Sequence, residues 1–243
     1  MDIKENNNNP KNTLIVKPTK NPNIDKPLNV PEPFINRASI LVISGSTGSG
    51  KSVFLNSVLT STGQGRVYNR VFDNIFYIIP QEVLDGDESH PFKKHTPSKM
   101  FYELTVETLE HVADQAMKAT QEGQVSCLVI EDFTERLRDK HVEKALKRLV
   151  NKSRHFGLQI IITLLNLKGL GKQLRAHVDC FVIFKPKSAN DMIEWATEIF
   201  GMNKKQISDL YQYVFRDKYD HLFYNQHTNQ YYRNFQLLEM TEK

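Results

Sequence analysis

Residues 44 to 53 read SGSTGSGKSV, and Gly45 through Ser52 match the pattern G-x-x-x-x-G-K-[ST]. Those residue types at that spacing suit one task, the holding of a nucleoside triphosphate such as ATP. The glycines at 45, 48 and 50 let the backbone curl. Successive N–H groups along Gly45, Ser46, Thr47, Gly48, Ser49, Gly50, Lys51, Ser52 and Val53 can then line a phosphate cradle at the positive end of the following helix. Lys51 is placed to reach the β- and γ-phosphates, and the Ser52 hydroxyl to ligate Mg²⁺.

A second constellation lies downstream. The run VSCLVIEDF (125 to 133) drives four apolar residues straight into Glu131 and Asp132. An acidic pair at the carboxyl end of a buried strand sits where α/β sheets bind ligands. One carboxylate can then hold Mg²⁺ while the other positions an attacking water. This resembles a Walker B motif, although such motifs usually place Asp first, so the order here leaves open which carboxylate serves the metal. The competing reading is an acidic cap for a helix beginning near Thr134.

These residues work only if particular elements carry them. A phosphate loop must follow a buried strand and open a helix; ASILVIS (38 to 44) supplies the strand, and SVFLNSVLT (52 to 60) supplies the helix, with Phe54, Leu55, Val58 and Leu59 on one face. From residue 38 onward strand-like and helix-like segments alternate, which predicts an α/β fold with a mostly parallel central sheet flanked by helices. VFDNIFYIIP (71 to 80) reads as a strand closed by Pro80, and residues 81 to 98 read as loop. Leu109, Val112, Ala113 and Ala116 form a helical stripe within residues 100 to 123, stopped by Gly123. A basic helix is expected over 134 to 157, its buried stripe formed by Val142, Ala145, Leu146, Leu149 and Val150. The NKSR at 151 to 154 does not qualify as a guanine clamp, because it closes a helix and ends in Arg. Residues 188 to 215 read as two short helices split at Gly201-Met202-Asn203, with Trp195 packed on the sheet, and 221 to 235 as a hairpin turning within Asn225 to Asn229.

Composition bounds the rest. The chain has 243 residues, 40% hydrophobic and 25% charged, ordinary for one globular domain, which is placed at 37 to 243. The most apolar stretch, GLQIIITLLNL (157 to 167), is short and interrupted by polar residues, so no membrane span is expected. The N-terminus lacks a signal-peptide pattern. Cys127 and Cys180 lie in apolar runs and read as buried thiols in a reducing compartment. A net charge of +4 permits nucleic-acid contact without demanding it. Residues 1 to 36, rich in Asn, Pro and Lys, read as a flexible arm.

The stretch SRHFGLQIIITLLNLKGLGKQLRAHVDCFVIF (153 to 184) carries a resemblance. A helix ending in Ser-Arg-His, a Gly, an apolar strand with a polar tip, then Leu-Arg-x-x-x-Asp before another apolar strand resembles the second half of FtsK/HerA superfamily ATPases. It is most similar to the genome-packaging branch of poxviruses, giant DNA viruses, virophages and some membrane-containing phages. The resemblance covers roughly residues 38 to 200 and implies an ATP-driven translocase that packages a double-stranded DNA viral genome. It further implies a strand inserted between the Walker A and Walker B strands, bearing a polar γ-phosphate sensor at its tip. Asn166 is the candidate; the family's Gln falls earlier, where this chain has Leu164 and Leu165, so either Asn166 acts from a shifted position or the sensor is lost. Arg154 and Arg175 match the motif's arginines, one of which would act on a neighbouring subunit's site. Implied partners are double-stranded DNA, further copies in a pentameric or hexameric ring, and a capsid or vertex protein, in host cytoplasm and virion. An alternative is a P-loop ATPase that drives virion or membrane-structure assembly without moving DNA. A small-molecule kinase is disfavoured, because no Arg-rich lid follows the core.

Overall fold

The computed structural model describes residues 26–240, so most of the expected arm, residues 1 to 25, lies outside the described residues. Its last part packs against the domain instead of standing clear. Leu28, Phe34 and Ile35 are buried in the core, and the Pro33 carbonyl accepts a hydrogen bond from Asn225 Nδ2 at 3.0 Å.

The apolar runs become strands of one sheet: β1 Ile40–Ser44, β2 Asn74–Ile78, β3 Met100–Phe101, β4 Ser126–Ile130, β5 Leu158–Leu164, β6 Cys180–Phe184, β7 His221–Asn225, β8 Gln230–Arg233 and β9 Gln236–Leu238. Their order is β3-β2-β4-β5-β1-β6-β7-β8-β9. Strands β1 to β6 pair in parallel. The antiparallel β7, β8 and β9 extend the sheet from β6. β5 thus lies between the strand that feeds the phosphate loop and the strand that feeds the acidic pair, as the resemblance implies. Register sets the site: Ser44 pairs with Leu164 and Ile130 with Ile162, so the glycine loop, the acidic pair and the tip of β5 emerge at one edge.

Successive strand residues point to opposite faces, and both faces are covered. Ile40, Val42, Ile130, Ile160 and Ile162 pack with the helices α3 (Val106–Gln121), α4 (Lys140–Lys152), α6 (Ala189–Phe200) and α7 (Lys204–Val214), and Trp195 is buried among them. Leu41, Ile43, Cys127, Val129 and Ile161 pack with α1 (Lys51–Thr60) and the segment following β2. Cys127 and Cys180 are buried, and burial pushes both thiols up.

Two expectations are corrected. Residues 81 to 98, expected as loop, include the short helix α2, Gln81–Gly86, which opens directly behind Pro80. The basic helix does not begin near Thr134. After a single 3₁₀ turn at Arg136–Arg138 it starts at Lys140, where the Asp139 side chain accepts from the His141 and Val142 amides. Asp139 is therefore the cap, and the acidic pair at 131 and 132 is released from that duty.

Candidate nucleotide-binding site

The phosphate loop is held in shape before any ligand arrives. Gly45 N donates to the Leu164 carbonyl at 3.1 Å, which fastens the loop to β5. A side chain at Gly45 would lie 2.6 Å from Ser49 Oγ and 2.7 Å from Phe184 Cβ, so only glycine fits. Gly50 has φ 105° and caps α1 without any side-chain hydrogen bond, leaving the first-turn amides of the helix to an external acceptor. Ser49 Oγ is buried and has no partner among the described residues. An anion in the cradle satisfies both sets of orphan donors, so the loop fits a nucleotide's phosphates.

Lys51 Nζ donates to the Ser46 carbonyl at 3.1 Å. Burial lowers its pKa, opposed by the negative charges of Asp132 and Glu131. Ser52 Oγ donates to Glu131 Oε1 at 2.6 Å, joining the two motifs directly. Glu131 is only 2% exposed. Its other oxygen accepts from the Tyr77 hydroxyl at 2.5 Å. His90 Nε2 stands 3.8 Å away from that oxygen, an ion-pair distance rather than a hydrogen bond. His90 Nδ1 accepts from the Phe92 amide at 3.3 Å, which places the ring proton on Nε2, facing the carboxylate. Burial pushes the Glu131 carboxyl up, but His90, Ser52 and Tyr77 outweigh it and hold the group below its usual value, charged. Burial beside that carboxylate raises the Tyr77 phenol well above normal.

Asp132 behaves differently. It is exposed, with φ 61° in the left-handed region that Asp tolerates better than most residues. Its amide donates to Thr163 Oγ1 at 3.1 Å. Two residues on, Thr134 Oγ1 accepts from the Leu165 amide at 3.0 Å. The tip of β5 is thereby tied to both motifs. Asn166 is exposed beyond that tip and lines a cavity of about 550 Å³ with Ser44, Gly45, Ser46 and Thr47. The structure brings it to the loop.

The two arginines part company. Arg175 is 13% exposed and bonded within its own chain: Nη1 to the Leu170 carbonyl at 2.6 Å and Nη2 to the Glu198 carboxylate at 3.3 Å. It clamps the turn after β5 to α6. Arg154 is exposed and follows α4 just ahead of β5. That is the sheet edge opposite the phosphate loop, roughly 20 Å from it by the rise of seven strand residues.

Four contributors escape the motif reading: Tyr77, His90, Thr163 and Thr134. A polar threonine near the end of an otherwise apolar strand was the available signal for Thr163. Tyr77 and His90 are far from the acidic pair in sequence; Tyr77 meets it through the pairing of β2 with β4, and His90 from the segment that follows α2.

A family model described as Poxvirus A32 protein matches residues 32–224. The DNA-packaging ATPase B204 of Sulfolobus Turreted Icosahedral Virus superposes at TM-score 0.60 with 18% identity, over 82% of this chain and 98% of that one. The genome packaging NTPase B204 of Sulfolobus turreted icosahedral virus 2 in complex with sulfate gives 0.60 at 15% identity, over 84% and 98%. The same protein in complex with AMPPCP gives 0.57 at 13%, over 80% and 96%. At such identities the likeness is one of fold. Among curated proteins, none matches the chain.

Proposed function

The chain belongs to the Poxvirus A32 protein family, and we propose that it is an ATP hydrolase whose turnover drives double-stranded DNA into a viral capsid. The observation that carries the reading is the 2.6 Å hydrogen bond from Ser52 to Glu131, which places a phosphate-loop hydroxyl on a buried, charged carboxylate. That is the donor set of an Mg²⁺ site shared with substrate phosphates. Mg²⁺ held by Ser52 and Glu131 would neutralise charge on the β- and γ-phosphates.

The chain's own groups do the rest. Lys51 exchanges the Ser46 carbonyl for the β- and γ-phosphates. Asp132, exposed beside the buried Glu131, orients the attacking water and takes its proton. Asn166 reads the terminal phosphate from the tip of β5. Charge on the transferring group is met by an arginine from a neighbouring subunit, and Arg154 suits that role because it lies too far from its own loop. The working unit is then a ring of copies around DNA, docked on a capsid or vertex protein, in the host cytoplasm where virions assemble. No helix among the described residues is long and apolar enough to cross a membrane.

The test is steady-state ATP hydrolysis with and without double-stranded DNA. Stimulation by DNA, lost in Lys51→Ala, is expected. Robust hydrolysis indifferent to DNA of every length and salt concentration refutes the motor while leaving the nucleotide site standing.

A further inference from the structure

With Mg²⁺ held by Ser52 and Glu131, the β- and γ-phosphates of a nucleotide would lie on the β4 side of the phosphate loop. The sugar and base would then leave the cradle on the other side, over the start of α1 toward β6 and β7. On that side the loop meets an aromatic surface. A side chain added at Gly50 would lie 3.3 Å from Tyr219 Cδ1 and 3.4 Å from Phe184 Cε1. Phe184 packs against His221 and Phe54, with centroids 5.4 and 6.1 Å apart. Phe235 stacks on Phe54 at 5.8 Å. Against this backing, Tyr219 is 59% exposed and Val53 72% exposed. Large apolar side chains exposed beside a nucleotide cradle are unexplained by the fold.

The turn that presents Tyr219 is fastened unusually well. Asp220, buried, accepts from the amides of Arg216 at 3.0 Å and Asp217 at 2.7 Å. It also accepts from Arg233 at 2.9 Å and Asn234 Nδ2 at 2.5 Å. A ring held on so anchored a turn needs little ordering to receive a ligand, which is what preorganisation contributes to affinity. Resting on the cradle reading above, we propose that Tyr219 is the nucleobase platform of this site, stacking the base of the nucleotide. Lys218 Nζ sits 5.0 Å over the ring centroid. An exposed cation–π contact is weaker than base–aromatic stacking, so an arriving base displaces that lysine from its face. Every base has a π-face, and the larger purines gain more, so the platform favours purine over pyrimidine triphosphates without reading hydrogen-bonding edges.

The experiment compares equilibrium binding of a non-hydrolysable ATP analogue, its CTP counterpart and inorganic tripolyphosphate, all with Mg²⁺. Tyr219→Ala should weaken the ATP analogue about tenfold or more, the scale of one lost stacking contact. Tripolyphosphate binding should stay unchanged, and the purine–pyrimidine gap should narrow. Tyr219→Phe should restore affinity, and Lys218→Ala should cost nothing. The exposed position of Tyr219 makes loss of fold an inadequate explanation for such a pattern, and an unchanged melting temperature checks it. Equal weakening of tripolyphosphate would mean that Tyr219 merely braces Gly50, which overturns the platform. Unchanged ATP-analogue affinity overturns it as well. A wild-type protein that binds tripolyphosphate as tightly as the nucleotide does the same while sparing the cradle. A wild-type protein that binds neither ligand removes the cradle itself, and the platform with it.

Discussion

The division of labour between the two acidic residues can be forced apart by conservative substitution. Glu131 is buried and accepts from Ser52 at 2.6 Å and Tyr77 at 2.5 Å, so Glu131→Gln exchanges two charge-assisted hydrogen bonds for neutral ones. Each such exchange costs about 1 kcal/mol, making the expected loss of stability about 2 kcal/mol. The larger effect would fall on the proposed Mg²⁺: losing even an outer-shell partner of a metal site typically costs about 10–100-fold in metal affinity, and losing a carboxylate that holds the ion should cost no less. Asp132→Asn is a different perturbation. Asn accepts the left-handed φ of 61° as readily as Asp, the amide bond to Thr163 is made by the backbone and survives, and only the basicity of the side chain is lost. Turnover should fall about 10²–10⁴-fold, the contribution of a general base, with nucleotide affinity intact. Mg²⁺ titrations of nucleotide binding, read alongside single-turnover hydrolysis, separate the cases. The reasoning is refuted if Glu131→Gln binds Mg²⁺-nucleotide normally and fails only in chemistry, or if Asp132→Asn hydrolyses at the wild-type rate.

Three further outcomes follow from the geometry. Lys51→Ala should abolish nucleotide binding without lowering the melting temperature, since among the described residues the hydrogen bond that Nζ makes is a single one to the Ser46 carbonyl; retained binding, measured by equilibrium titration, contradicts the cradle. Arg175→Ala should destabilise the fold by about 2–3 kcal/mol through the carbonyls and carboxylate it leaves behind, whereas Arg154→Ala should slow hydrolysis about 10³–10⁵-fold with nucleotide binding near normal. Mixing Arg154→Ala with the Glu131→Gln, Asp132→Asn double variant should then recover turnover, and co-assembled mixtures that stay dead count against an arginine acting between subunits. Asp220 gains its hydrogen bonds only on folding and is held well below its ordinary value of 3.8, despite the opposing effect of burial. A depressed folded value gives stability that is present above the ordinary one and lost as pH falls through the folded one. Acid unfolding of the wild type should therefore steepen below about pH 4, and Asp220→Asn, already weaker at neutral pH, should flatten that arm.

The legible parts of the molecule were those written in local chemistry. The glycines at 45, 48 and 50 announce a cradle because few other residues permit the curl. The strand, the acidic pair and the alternation of elements follow from apolar runs a few residues long. The hairpin turned where Asn225 to Asn229 predicted, between β7 and β8. Long-range pairing was less legible. That Tyr77 would meet Glu131 depends on Tyr77 facing the same side of the sheet one strand over, with β2 and β4 registered as Ile78 to Ile130. His90 reaches the same carboxylate from a stretch whose composition promised only loop. The helix start misplaced to Thr134 has a simpler cause. Thr134, Asp132 and Asp139 are all plausible caps by type, and only the Leu165 amide, arriving from β5, shows that Thr134 is already engaged.

The inserted strand gives the site its internal connection. Leu164 O holds Gly45 of the phosphate loop, Thr163 Oγ1 holds the Asp132 amide, and the Leu165 amide is held by Thr134. Three consecutive residues, the last two of β5 and the one that follows it, thus bond to the cradle on one side and to the acidic loop on the other. Asn166 follows them into the cavity over Ser46 and Thr47. If Asn166 contacts the terminal phosphate as proposed, a change in what occupies that position would shift Asn166 or the loop, and either shift would pull on the backbone that carries Asp132. β5 is buried along its whole length, and close-packed interiors pass displacement along instead of absorbing it. Arg154, proposed to act at a neighbour's site, stands in the turn that leads into the other end of that strand. On the proposed roles, one buried strand would therefore join the place where a subunit senses its own nucleotide to the place where it would touch the next subunit's. That is the shortest physical route by which hydrolysis in one copy could be made to depend on the state of another.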